Sequence, residues 1–189
     1  MIRGAGGVEF TIFDTETTGL SIRRGDRIIE IAAVRFKGKE DISYFESLIN
    51  PGCSVSLEAY NINKISAGML LSAPKPREVI VKFMDFIRGS CLCSYNIAFD
   101  IGFLNNELKL LGLSRLSKVF VVDILKLARQ AIPGLDSYAL QSVAKSLGVK
   151  GNQKHRAFSD VLMAQKVFYI LRDMLERRFG CRLKLEKYY

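Results

Sequence analysis

Phe10–Leu20 reads FTIFDTETTGL, an apolar stretch that runs into two acids one residue apart. Side chains alternate along a strand, so Phe10, Ile12, Asp14 and Glu16 share one face. Paired carboxylates on the buried face of a core strand repel each other and lose hydration, a cost that stands unless a positive charge lies between them. A hard divalent cation is the simplest such charge, because it takes a few carboxylate oxygens and keeps waters for other ligands. The plain alternative is a strand end that has reached solvent with both acids hydrated. A lone Asp-x-Glu does not choose between the two.

Outward from that strand, the chain reads as strands first and then helices mixed with strands. Val8 to Thr17, Arg27 to Lys37 and Ile42 to Asn50 are rich in β-branched and aromatic residues and are separated by the turn-prone RRGD and KGKED, which predicts an antiparallel meander. In PKPREVIVKFMDFIRG, Val79, Ile80, Phe83 and Ile87 recur at helical spacing up to Gly89. SCLCSYN then reads as a short strand, DIGFLNNELKLLG as a helix ending at Gly112, and VFVVD, Val119 to Asp123, as a further strand. ILKLARQAI, SYALQSVAKSLG and a long last segment from Ala157 to Phe179 read as helices, the final two separated by the polar, basic GVKGNQKH. This order predicts an α/β fold with a mixed five-stranded sheet and helices on both faces. In such sheets sites lie beyond the carboxyl ends of parallel strands, and Asp14 and Glu16 are near such an end.

The 189 residues suit one domain, expected over residues 1–180, with a short basic tail at 181–189. Hydrophobic residues make up 49% and charged residues 25%, a balance that excludes a disordered chain. No apolar run approaches the roughly 20 residues needed to cross a bilayer. Glu9 and Asp14 also interrupt the stretch where a signal peptide would be apolar, so a cytoplasmic protein without a membrane partner is expected. The cysteines, Cys53, Cys91, Cys93 and Cys181, make no zinc or redox spacing and are expected to be reduced. The formal net charge of +9 fits a phosphate-backbone partner as well as it fits a merely basic surface.

Three further residues add weight to the acid pair. Asp100 follows SYNIAF at an expected strand-to-helix junction, where its plain role is capping. Asp160 falls in the first turns of the last helix, where an acid complements the helix dipole. His155 is the sole histidine and lies in a loop five residues before Asp160, not on an apolar helix face. An imidazole side chain can take a proton from water.

FDTETTGL, YNIAFDIGFL and HRAFSD, the last with spacing H-x4-D, together resemble the three motifs of the DEDDh (DnaQ-like) family of 3′-to-5′ exonucleases, most closely the epsilon-type proofreading subunits of bacterial DNA polymerase III. The resemblance runs from about residue 8 to about residue 172. It implies an RNase H-like fold and a mechanism with two divalent cations, Mg²⁺ or Mn²⁺. Asp14, Glu16, Asp100 and Asp160 would be the acidic metal ligands, and His155 the general base. Another branch of the family carries a tyrosine where Arg156 stands, so the histidine branch is favoured. By the same matching, Thr17 and Leu20 would hold the 3′-terminal nucleotide, Leu20 against a base, and Asn96 and Phe99 would flank the substrate. The plain roles of those four residues are turn, core and capping.

The family often has His-Asn-Ala where this chain reads Tyr95, Asn96, Ile97, and His-Gly-Ile where it reads Asn63, Lys64, Ile65. These departures leave the ligands intact and bear on substrate choice. The expected activity is hydrolysis of single-stranded 3′ ends to nucleoside 5′-monophosphates, with DNA preferred. An RNase T-like or oligoribonuclease-like exoribonuclease would share every catalytic residue, and an inactive nucleic-acid-binding or polymerase-docking module would share the fold. The chain stops at LKLEKYY, where family members that bind a polymerase usually extend, so a polymerase partner and a free-standing nuclease are both open.

Overall fold

The computed structural model describes residues 7–151, 155–180 and 185–188. The meander forms as expected: β1 (Glu9–Thr17), β2 (Ile28–Lys37) and β3 (Glu40–Leu48) pair antiparallel in succession. Next come α1 (Leu57–Asn63), α2 (Ala67–Leu71), α3 (Pro76–Phe86), β4 (Cys91–Ser94), α4 (Ile97–Leu110) and β5 (Val119–Asp123). The chain continues with α5 (Ile124–Ala131), α6 (Leu140–Ser146), α7 (Ala157–Phe179) and β6 (Glu186–Tyr188). The sheet order is β3-β2-β1-β4-β5-β6, with β1, β4 and β5 parallel.

The sheet therefore has six strands, not the expected five. Glu186–Tyr188, in the stretch read as a tail, pairs antiparallel with β5, Tyr188 opposite Val119. Three residues of edge strand carry no period to read, and their anchors are distant in sequence. Asn105 Nδ2 donates to the Tyr188 hydroxyl at 3.3 Å, and Lys126 pairs with Glu186 at 3.1 Å.

Both faces of β1 are covered, so Phe10, Ile12 and Phe13 are all buried although they alternate sides. Phe10 and Ile12 face α5, α6 and α7, where Phe10, Phe36 and Phe168 pack with ring centroids 5.4 to 5.8 Å apart. Phe13 faces α3 and α4 and meets Phe83 at 5.6 Å. Each such buried ring contributes about 1.5–3 kcal/mol. Cys91 and Cys93 are buried thiols in β4 and Cys53 is an exposed one, while Cys181 lies outside the described residues.

Two short helices after β3 escaped the periodicity reading. Both are set by serine caps: Ser56 Oγ accepts from Ala59 N at 3.1 Å and Ser66 Oγ from Met69 N at 3.3 Å. α4 also starts three residues earlier than read, at Ile97, so Asp100 is inside its first turn instead of at the junction. Among the described residues no helix is long and apolar enough to cross a membrane.

Candidate active site

Parallel β1 and β4 end on the same side of the sheet, and the elements that follow or cross them bring the acids together there. Asp14 and Glu16 project from the end of β1 toward the face covered by α7. Asp160, in the first turn of α7, is buried beneath them. One carboxylate oxygen from each of the three lies within 4.8 Å of the others. Opposite Asp14 on β2 stands Ala32, too small to crowd that carboxylate. A register shift between Glu16 and Thr17 then ends the regular ladder, a type of irregularity that re-aims side chains beside sites.

Asp100 comes from the other side. α4 packs on the opposite face of the sheet, and Asp100 does not belong to the close trio. Its Oδ1 accepts from the backbone N of Thr15 at 3.1 Å and from Thr15 Oγ1 at 2.7 Å. Its Oδ2 accepts a short hydrogen bond from Ser94 Oγ at the end of β4.

Confinement of these acids shows in their protonation. Burial, then the charges of Asp100, Glu16, Asp160 and Glu30, hold Asp14 well above the usual carboxylate range. Glu16 is pushed up to about 7 by burial and by Asp160 and Glu30, against a hydrogen bond from Asn63 that pulls it down. Asp100 is pushed up to about 6 by burial, with the bonds from Ser94 and Thr15 opposing. An all-oxygen, all-anionic set of this kind fits a hard divalent cation, which would relieve the repulsion and reverse these shifts.

The remaining sequence-expected residues lie on the segments that leave β1, open α4 and precede α7. Thr17 is buried and donates from Oγ1 to the Gly19 carbonyl at 2.6 Å. Leu20 is 82% exposed in the turn that follows β1. Asp26 organises that turn, accepting from Thr18 Oγ1 at 3.1 Å and from Ser21 N at 2.8 Å. A Cβ on Gly19 would sit 2.6 Å from the Asp26 carboxylate, so only glycine allows this approach. Asn96 is exposed and precedes α4, its backbone N donating to Ser94 Oγ at 3.3 Å. Phe99 is half-buried and packs on Phe103 at 4.8 Å. His155 is exposed, with a left-handed backbone at φ 49°.

Sequence reasoning missed several contributors. Thr15 and Ser94 hold Asp100, and Asn63, whose Oδ1 accepts from Ile65 N at 3.0 Å, reaches Glu16. Glu30 is 1% exposed and lies directly opposite Glu16, with Arg156 paired to it at 2.6 Å. An acid inside the apolar run IIEIAAV was the available signal for Glu30. Tyr95 is half-buried against the core, its hydroxyl donating to the Tyr138 carbonyl at 2.7 Å.

The exonuclease family of the RNase T type matches residues 11–168. The chain belongs to this exonuclease family. The exonuclease is 40% identical over 163 residues to the DNA polymerase III subunit epsilon of Treponema pallidum, covering 85% of this chain and 75% of that one. It is 36% identical over 168 residues to the PolC-type DNA polymerase III of Caldanaerobacter subterraneus subsp. tengcongensis, covering 89% of this chain but only 12% of that one. Its RNase H-like fold is shared with the nuclease domain of 3′hExo, a DEDDh family member bound to rAMP, at a TM-score of 0.76 and 18% identity, over 96% of this chain and 97% of that one.

Proposed function

We propose that this exonuclease removes nucleotides from single-stranded 3′ ends, DNA in preference to RNA, and releases nucleoside 5′-monophosphates in the cytoplasm. The observation that carries the reading is the convergence of Asp14, Glu16 and Asp160 within 4.8 Å, with Asp100 tied to the residue between the first two. Asp14, Glu16, Asp100 and Asp160 would hold two divalent cations, Mg²⁺ or Mn²⁺. When bound, these supply the positive charge that attack on an anionic phosphodiester needs.

The chain's own groups do the rest. Leu20 presents an exposed apolar surface to the terminal base, and apolar contact of that kind tolerates any base. Thr17, buried beside the acids, fixes the turn that carries it. Asn96 and Phe99 flank the strand entering over α4. His155 accepts the proton of the attacking water at an imidazole nitrogen. Kinship with a polymerase III epsilon subunit supports association with a DNA polymerase subunit as the setting for this activity.

Degradation of matched DNA and RNA single strands side by side, with Mg²⁺ or Mn²⁺, tests the reading. Faster loss of DNA from the 3′ end with 5′-monophosphate products is expected. Faster loss of RNA would transfer the assignment to an exoribonuclease, and no degradation of either would leave a binding module.

A further inference from the structure

His155 has a left-handed backbone at φ 49°, a conformation histidine adopts more readily than most residues, and it lies just before the start of α7. The next residue is tightly held. Arg156 Nη2 donates to Glu30 Oε1 at 2.6 Å, and Arg156 Nε lies 3.1 Å from both Glu30 oxygens. The backbone N of Ala157, first residue of α7, donates to Glu30 Oε2 at 2.9 Å. One carboxylate thus holds both the extended residue before the helix and the helix's first free N–H. Glu30 itself is enclosed: it is buried within β2, between two ladder partners, directly opposite Glu16.

Like charges opposite each other on a sheet repel, so an anchor made only to neutralise Glu30 could have been any cation. Arginine supplies a planar fork as well as charge, and the fork fixes direction. Consecutive Cα atoms are separated by about 3.8 Å, so fixing Arg156 and Ala157 fixes where His155 starts. A connected path therefore runs from Glu16 across the ladder to Glu30, through Arg156, to the residue next to it, His155.

We propose that Glu30 and Arg156 are positioning residues that set the placement of His155 relative to the carboxylates. The proposal rests on the reading of His155 as the proton acceptor. Neither Glu30 nor Arg156 touches substrate in this role.

Arg156→Lys separates geometry from charge, because it keeps the cation and loses the fork. With oligodeoxythymidylate as substrate and Mn²⁺ as cation, kcat is expected to fall at least about 30-fold, a large part of what a general base contributes. KM for the oligonucleotide, calorimetric Mn²⁺ affinity and Tm should stay close to wild type. In a His155→Ala background the same substitution should lower kcat only slightly further, since the group it positions is gone. Glu30→Gln should reproduce the kcat loss; being buried it risks misfolding, so Arg156→Lys, on a partly exposed side chain, is the deciding variant. Wild-type kcat from Arg156→Lys, or a full further loss in the His155→Ala background, would overturn the proposal. Wild-type turnover from His155→Ala would instead remove the base assignment beneath it, an outcome read from that single variant alone.

Discussion

Asp100 on α4 accepts two hydrogen bonds from Thr15, the residue that separates Asp14 from Glu16 on β1. Alternation sends Thr15 to the α4 face and its two acidic neighbours to the α7 face. The strand is thereby held on its α4 face at the point where it presents its carboxylates on the other, and an acid of the site doubles as the clamp.

Thr15→Val tests that clamp, because valine keeps the β-branched shape and deletes only the hydroxyl. A buried carboxylate that loses one donor is expected to cost roughly 1–3 kcal/mol of stability, measured by urea unfolding. The loss should also raise the Asp100 pKa further, since the bond now opposes burial. Stability unchanged from wild type would mean that the clamp is incidental.

The acid cluster sets a pH dependence with a definite sign. Unfolded carboxyls titrate near about 4, whereas Glu16 in the fold titrates at about 7 and Asp100 at about 6. Between those values the folded chain holds more protons than the unfolded one, so these groups lower the stability of the metal-free protein as pH rises from about 4 to about 7. The stability gained by Glu16→Gln over wild type should therefore grow from pH 5 to pH 7 in metal-free thermal melts. Added Mn²⁺ should stabilise wild type more at pH 7 than at pH 5. A Glu16→Gln advantage that shrinks with pH would contradict the confinement of this acid.

At the turn after β1, Leu20 and Gly19 separate binding from folding. Leu20 is exposed, so Leu20→Ala should leave Tm within about 1–2 °C of wild type, surface changes being worth little. KM for a single-stranded oligonucleotide should rise severalfold. Gly19→Ala forces its Cβ against the Asp26 carboxylate and should lower Tm as well as weaken binding. Equal KM values for Leu20→Ala and wild type would remove that leucine from the substrate site.

Much of this was written in the chain. The β1 acids, the helical start at Ala157 and the order of strands follow from alternation and helical spacing, which are local. What stayed hidden depends on partners far away in sequence. Glu186–Tyr188 is a strand only because β5 offers it an edge, and Leu57–Asn63 is a helix through one serine cap on a segment with no apolar period. Asp100 looked like a cap because its bonds to Thr15, 85 residues distant, cannot be read locally. Glu30 announced itself only as an acid in an apolar run, and its partner Arg156 lies 126 residues away.

Cleavage by Asp14→Ala, followed beside its metal-free stability, tests the central claim most directly. Asp14 is surrounded by Asp100, Glu16 and Asp160, so its removal relieves repulsion and should leave the metal-free protein folded and at least as stable as wild type. Degradation of a single-stranded oligodeoxynucleotide with Mg²⁺ or Mn²⁺ should be abolished. Wild-type cleavage by the folded variant would contradict a carboxylate-held metal site at the end of β1.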